Sequence, residues 1–195
     1  MQRISLVNVA HNLIREALFP GDIAIDATVG NGHDTLFLVK QVTPSGKVFG
    51  FDIQQAAINS TWQKIKSSCN LSRSSERLTL LAASHADMAE KIPVQYHGNI
   101  KAFMFNLGYL PGGDKCIITR TDTTLSALNV ASRMLSSNGI ISILAYPGHN
   151  GGDLETDQVT TWCEQLDQVQ FNISVVYSLE NKEIAPRLLV IRKRH

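Results

Sequence analysis

The densest chemistry in this chain lies in one run, Ile25-Asp26-Ala27-Thr28-Val29-Gly30-Asn31-Gly32-His33-Asp34-Thr35. An apolar segment from Ile23 to Ala27 carries an acid near its end. Two glycines then make a turn, and Leu36-Phe37-Leu38-Val39 opens a helix. Twenty residues after Gly32, the apolar run Val48-Phe49-Gly50-Phe51 closes on Asp52. A strand, a glycine loop, a helix and a second strand ending in an acid form a nucleotide-cofactor site. Glycines let the backbone approach the ligand closely, and the second acid can hold ribose hydroxyls.

A dinucleotide site wants a small residue where helix and strand pack, at position 35, and Thr35 stands there. Asp26 before the loop and Asp34 within it suit a pyrophosphate poorly. They suit a cofactor with an ammonium and a sulfonium and no phosphate, which is S-adenosylmethionine (SAM). Cofactor contacts are therefore expected from Asp26 (the methionine ammonium), Thr28, Gly30, Asn31, Gly32, His33, Asp34 and Thr35. Asp52 should take the ribose, Asp87 should lie near the adenine edge, and Gln54 and His85 join the cofactor set. Asn106 and Gly108 complete this set. A plainer reading makes Gly30 and Gly32 turn residues, Asp34 and Asp87 helix caps, and His33 and His85 structural histidines.

A second run, Phe103-Met104-Phe105-Asn106-Leu107-Gly108-Tyr109-Leu110-Pro111-Gly112-Gly113-Asp114-Lys115, puts a polar residue at a strand's carboxyl end. Open α/β sheets bind ligands outside those ends. Enzymes that methylate nitrogen often carry Asp or Asn there, followed by Pro-Pro and an aromatic. Asn106 and Tyr109 read as a variant, with the amide orienting a nucleophilic nitrogen and the aromatic stacking on a base. A third run, Tyr146-Pro147-Gly148-His149-Asn150-Gly151-Gly152, follows the next strand at the same rim. Asn106, Tyr109 and His149 are the catalytic candidates, with His149 or Tyr109 as proton acceptor. Leu110, Pro111, Gly112, Lys115, Arg120, Tyr146 and Gly148 are the substrate-binding candidates. An exocyclic amine needs no covalent nucleophile, and none of Cys69, Cys116 and Cys163 has a metal-ligand spacing.

These residues need a scaffold of alternating elements. The periodicity predicts helices over 5–18, 34–42, 54–69, 86–91, 121–135 and 155–168, with Asn138-Gly139 as a stop signal and Asp153 as a possible cap. Strands are expected over 23–27, 47–52, 78–82, 100–106, 140–145, 171–178 and 188–193. The last two are too close for a crossover helix, so they should pair antiparallel. The fold class is α/β, Rossmann-like: a mostly parallel, seven-stranded, doubly wound sheet with an antiparallel last strand. It resembles the class I methyltransferase fold. Residues 1–195 are expected to form one domain, with an N-terminal helix within 1–20 packing on its core.

The chain has 195 residues, 44% apolar and 18% charged, with a net charge of +1. That excludes a disordered tail and leaves any nucleic-acid affinity to a local basic patch. No secretory h-region or membrane-length apolar run is visible, so a cytoplasmic protein with reduced thiols is expected. Monomer and homodimer are both open. Thr35 and the antiparallel pair argue against a dinucleotide oxidoreductase. The acids together with Asn106 argue against a merely nucleic-acid-binding module.

The three runs quoted above, taken together, resemble the YtqB-like family, small bacterial SAM-dependent methyltransferases long labelled rRNA methylases. The likeness spans nearly the whole chain, and Asn106-Leu107-Gly108-Tyr109-Leu110-Pro111-Gly112-Gly113 is its most specific part. Val29 departs from the small residue expected there, and 181–186 match only loosely. Members have been assigned to tRNA wobble-uridine modification as MnmM-type enzymes, which methylate the aminomethyl nitrogen of 5-aminomethyl-2-thiouridine. The resemblance thus implies SAM as cofactor and a tRNA anticodon stem-loop as partner. An rRNA or small-molecule N-methyltransferase is the alternative.

Overall fold

The structure is a computed structural model that describes residues 5–69, 76–109, 112, 117–148, 151–178 and 185–195. Seven strands share one sheet: β1 (Ile23–Asp26), β2 (Lys47–Asp52), β3 (Leu78–Ala82), β4 (Ile100–Asn106), β5 (Leu135–Ala145), β6 (Phe171–Tyr177) and β7 (Arg187–Lys193). Their order is β3-β2-β1-β4-β5-β7-β6. The first five are parallel, and β7 runs antiparallel to both β5 and β6.

Alternation along each strand builds two cores. Ile25, Phe49, Phe51, Phe103, Phe105, Ile141 and Ile143 face one side, against α4 (Met88–Lys91), α5 (Thr121–Met134) and α6 (Gly152–Glu164). Ala24, Val48, Ala102, Met104, Ile140 and Leu144 face the other, against α1 (Leu6–Ala17), α2 (His33–Val42) and α3 (Gln55–Cys69). In α1 the buried residues Leu6, Ala10, Ile14 and Ala17 fall at helical spacing, and Ser5 caps the helix by accepting the Asn8 N–H. No described helix is long and apolar enough to cross a membrane.

The expected antiparallel pair is present, but β7 lies inside the sheet and β6 forms the edge. Burial accounts for this. Arg187 to Ile191 are buried without a break, as an interior strand requires, whereas Asn172 and Ser174 of β6 are exposed. The expected stop at Asn138-Gly139 is also revised. Helix α5 ends at Met134, and Leu135 already pairs with Ile100 of β4. The register then slips between Ile100 and Ala102, with Asn138 at φ 57. Asn138 thus serves a bulge rather than a helix end. Lys193 Nζ and Lys101 Nζ donate to the Leu135 and Ser137 carbonyls that the bulge releases. Helix α6 begins three residues before its expected start, with Gly151 rather than Asp153 at its cap. It ends before a turn in which Asp167 accepts from Val169 N–H and Gln170 Nε2.

The chain leaves β1 toward β2 and β3, then returns to place β4 on β1's other side. The topological switch point therefore lies between the carboxyl ends of β1 and β4, where open α/β sheets form their ligand crevice. Gly32 makes the turn into α2 at φ 72, and a Cβ there would stand 2.4 Å from Thr61 Oγ1. Gly32→Ala therefore costs at least about 1–2 kcal/mol from the left-handed backbone alone. Urea unfolding should show that loss.

Candidate active site at the β1–β4 switch point

Asp26, the last residue of β1, is fully buried. Its Oδ2 accepts the Thr35 hydroxyl at 2.5 Å and its Oδ1 accepts the Thr28 N–H at 3.1 Å. Burial and the neighbouring Asp34 charge raise its pKa from 3.8 to about 7, against the opposing pull of those two hydrogen bonds. Thr35 thus stands where a dinucleotide site would want a small residue, and its hydroxyl ties α2 to β1. Neither residue reaches the cavity wall, and Gly32 does not either. The expected direct contact of Asp26 with a methionine ammonium is therefore corrected: its carboxyl faces inward and braces the loop.

Asp34 faces outward instead. It lines the cavity, and its Oδ1 lies 2.6 Å from His11 Nε2. Its Oδ2 accepts a hydrogen bond from Asn106 Nδ2. A carboxylate only accepts, so the Asn106 amide must turn its nitrogen toward Asp34, leaving its oxygen for other donors. The Asn106 N–H donates to Thr28 Oγ1 at 2.7 Å, which fixes the backbone as well. His11 is held by stacking on Phe37, with centroids 3.9 Å apart and planes 5° from parallel, while Arg15 lies 5.2 Å from the same ring. Sequence reading missed His11, because it sits among the apolar spacings of α1. A histidine four residues before Arg15, on a helix expected to pack on the core, was the available signal.

Asp52 accepts the Gly30 N–H through Oδ2 and the Gln54 N–H through Oδ1, both at 2.8 Å. Each oxygen keeps a lone pair for a further donor. Beside it opens a cavity of about 860 Å³. Thr28, Gly30, Asn31, His33, Asp34, Asp52, Gln54 and His85 all lie on its wall, as does Asn106 with Gly108 beyond it. Lys64 Nζ caps the Asn31 carbonyl and approaches His33 Nε2 at 3.3 Å. His85 is buried, its Nδ1 is 3.2 Å from the Ala27 carbonyl, and burial lowers its pKa. Asp87 is exposed and off the wall, and it makes no side-chain cap bond. Ser84 takes the capping role by accepting the Ala86 N–H, and its turn leaves Asp87 facing away. Ser84 and the exposed Ile53 join the cofactor side of the wall, and neither was expected from the sequence.

The cavity continues past Asn106. Gly108 at φ 121 turns the chain, and Tyr109 pairs with Ile118 in a short antiparallel bridge. Tyr109, Arg120, Tyr146 and Gly148 are on the wall, joined by Ile117, Thr119 and Pro186. Gly112 is exposed and off it. Leu110, Pro111, Lys115, Cys116 and His149 lie outside the described residues. Arg120 makes a two-pronged contact to Asp122, at 3.2 and 3.0 Å, so part of the charge expected for a phosphate is shared. Cys69 and Cys163 are free thiols, and burial pushes Cys163 up to about 12, out of nucleophilic use.

Comparison with known proteins decides the class. Residues 48–192 match the family described as "Putative rRNA methylase". The chain belongs to this rRNA methylase family. It is 38% identical over 197 residues to a protein of Arabidopsis thaliana named tRNA (mnm5s2U34)-methyltransferase, chloroplastic. That alignment covers 98% of this chain and 70% of the relative. A crystal structure of a "putative rRNA-methylase" from Clostridium thermocellum superposes with a TM-score of 0.89 at 37% identity, covering 99% of this chain and 100% of that one. A "putative methyltransferase" from Streptococcus mutans, solved in complex with SAH, gives 0.83 at 31%, covering 98% and 99%. The rRNA methylase relatives share the fold derived above, and the chain is a SAM-dependent methyltransferase.

The residues present fit SAM. Asp52 has lone pairs free for a ribose diol, exposed Ile53 offers an apolar seat for a base, and Asp34 puts a carboxylate on the wall where positive charge belongs. Near the glycine loop a phosphate would meet the carboxylates of Asp34 and Asp52. Between pH 3.8 and about 7 folded Asp26 keeps a proton that the unfolded chain has shed. Its contribution to stability therefore falls as pH rises through that window. Asp26→Asn removes the effect. From pH 5 to pH 8 the parent should lose at least about 1 kcal/mol more than this variant, read by denaturant unfolding at each pH.

Proposed function

We propose that the enzyme methylates the aminomethyl nitrogen of 5-aminomethyl-2-thiouridine at the tRNA wobble position, docking on the anticodon stem-loop. The observation that carries this is the Asn106 amide, held by Asp34 through its nitrogen so that its oxygen is left for an N–H donor. The name of the Arabidopsis relative supports the substrate class. The whole chain, α1 included, acts as one catalytic domain in this reading.

SAM, when bound, supplies a methyl on a sulfonium, open to in-line displacement by a lone pair. Asp52, Gln54 and the backbone from Thr28 to Asn31 would hold it. Asn106 accepts an N–H of the substrate amine and aims its lone pair. An aminomethyl group arrives largely as an ammonium, so a proton must leave first. Asp34, on the wall beside the Asn106 amide, attracts that ammonium, and its proton leaves to water. Tyr109 remains a second acceptor on the same wall. Tyr109 and Tyr146 supply faces on which the base can stack. Arg120 already shares two of its five N–H donors and part of its charge with Asp122, so any patch must rest on more than this residue.

The test is mass spectrometry of nucleosides from tRNA and rRNA after incubation with enzyme and labelled SAM. Label should enter the aminomethylated wobble uridine of tRNA; label in rRNA alone overturns the substrate assignment. Asn106→Ala should lower kcat about a hundredfold or more while SAM affinity holds, because orientation acts mainly in the transition state. Asp52→Ala should instead weaken SAM by about 1.5–3 kcal/mol in calorimetry, having lost a charge-assisted hydrogen bond.

A further inference from the structure

Glu155 is 2% exposed in the first turn of α6, and among the described residues no cation pairs with it. Hydroxyls satisfy it instead. Its Oε2 accepts from Thr119 Oγ1 at 2.6 Å and its Oε1 from Thr124 Oγ1 at 2.7 Å. The helix N-terminus, capped by Gly151 at φ 80, favours the negative charge. A threonine hydroxyl has one proton. Thr119 gives it to Glu155, so its lone pair faces the Gly108 N–H, which donates to it at 2.7 Å. The Thr119 N–H returns a bond to the Gly108 carbonyl at 2.8 Å. Gly108 stands two residues beyond Asn106. One carboxylate thus joins the exit of β4, the start of α5 and the start of α6, where the loop after β5 ends.

We propose that Glu155 is a positioning residue for methyl transfer: through Thr119 it holds Gly108, and with it the Asn106 amide, in register with the loop that carries Tyr146 and Gly148. This rests on reading Asn106 as the group that orients the amine. A carboxylate suits the task because it accepts both hydroxyls and donates to neither. A glutamine would turn an N–H toward one threonine and reverse that hydroxyl's sense.

Thr119 and Thr124 separate positioning from folding, because each gives one hydroxyl to the same carboxylate and only Thr119 reaches Gly108. At matched melting temperature and unchanged SAM affinity, kcat should fall at least tenfold further in Thr119→Val than in Thr124→Val. Thr119→Ser should restore it. Hydrogen exchange gives a readout that needs no substrate: the Gly108 amide should exchange faster in Thr119→Val than in Thr124→Val. Equal losses of kcat in the two valine variants, failure of serine to rescue, or unchanged Gly108 exchange would overturn the proposal. A parent enzyme inert on aminomethylated tRNA counts against the substrate reading instead, and exchange at Gly108 still decides the bracket.

Discussion

One buried carboxyl organises the switch point. Asp26 binds the Thr28 N–H on one oxygen and the Thr35 hydroxyl on the other, which closes the glycine loop against α2. That closure turns the Thr28 hydroxyl toward β4, where it receives the Asn106 N–H. The glycine loop and the strand that carries the Asn106 amide are thus joined by a direct hydrogen bond. The cost of burying an acid is offset by those bonds and by its readiness to keep a proton. Rigidity here matters because alignment of reacting atoms supplies much of the rate in a displacement reaction.

Three carboxyls cluster at this end of the sheet, and their surroundings separate their duties. Asp26 is sealed in and braces. Asp34 stands on the wall between an imidazole and an amide. Asp52 sits at the rim with two backbone amides on its oxygens. A wall of this sign is hostile to phosphate and favourable to a cationic cofactor, which agrees with the family to which the chain belongs. The same residue type thus performs three physical tasks within one loop and its neighbouring strand.

Much of this was legible in the sequence, and the failures have physical reasons. The place of Asp52 and Asn106 on the cavity wall could be read because an acid or amide at the end of an apolar strand has few other destinations. Thr35 told against a dinucleotide, although its partner Asp26, assigned a ligand contact, is buried with its carboxyl bonded to the Thr28 N–H and the Thr35 hydroxyl. His11 was hidden because its partner is 23 residues away and its helix reads as ordinary core packing. Glu155 looked like one more acid at a helix start; only the fold brings Thr119 and Thr124 to it. Asp87 looked like a rim residue, but Ser84 closes its turn. The position of β7 inside the sheet depends on which strand is buried on both faces, and strand pairing alone does not reveal that.

Among the described residues, strand β6 is hydrogen-bonded into the sheet only through β7. The pair is therefore a cooperative unit: β6 has no ladder to join until β7 has docked on β5, and it cannot stay if β7 leaves. Any excursion that peels this side of the sheet must release β6 first or both together, never β7 alone. The protection of the Leu188–Ile191 backbone thus sets a ceiling on that of the edge. Pro186 of the cavity wall immediately precedes β7. An excursion that frees the β6–β7 pair therefore also loosens the Pro186 side of the cavity, so local unfolding and access to the cavity are coupled there.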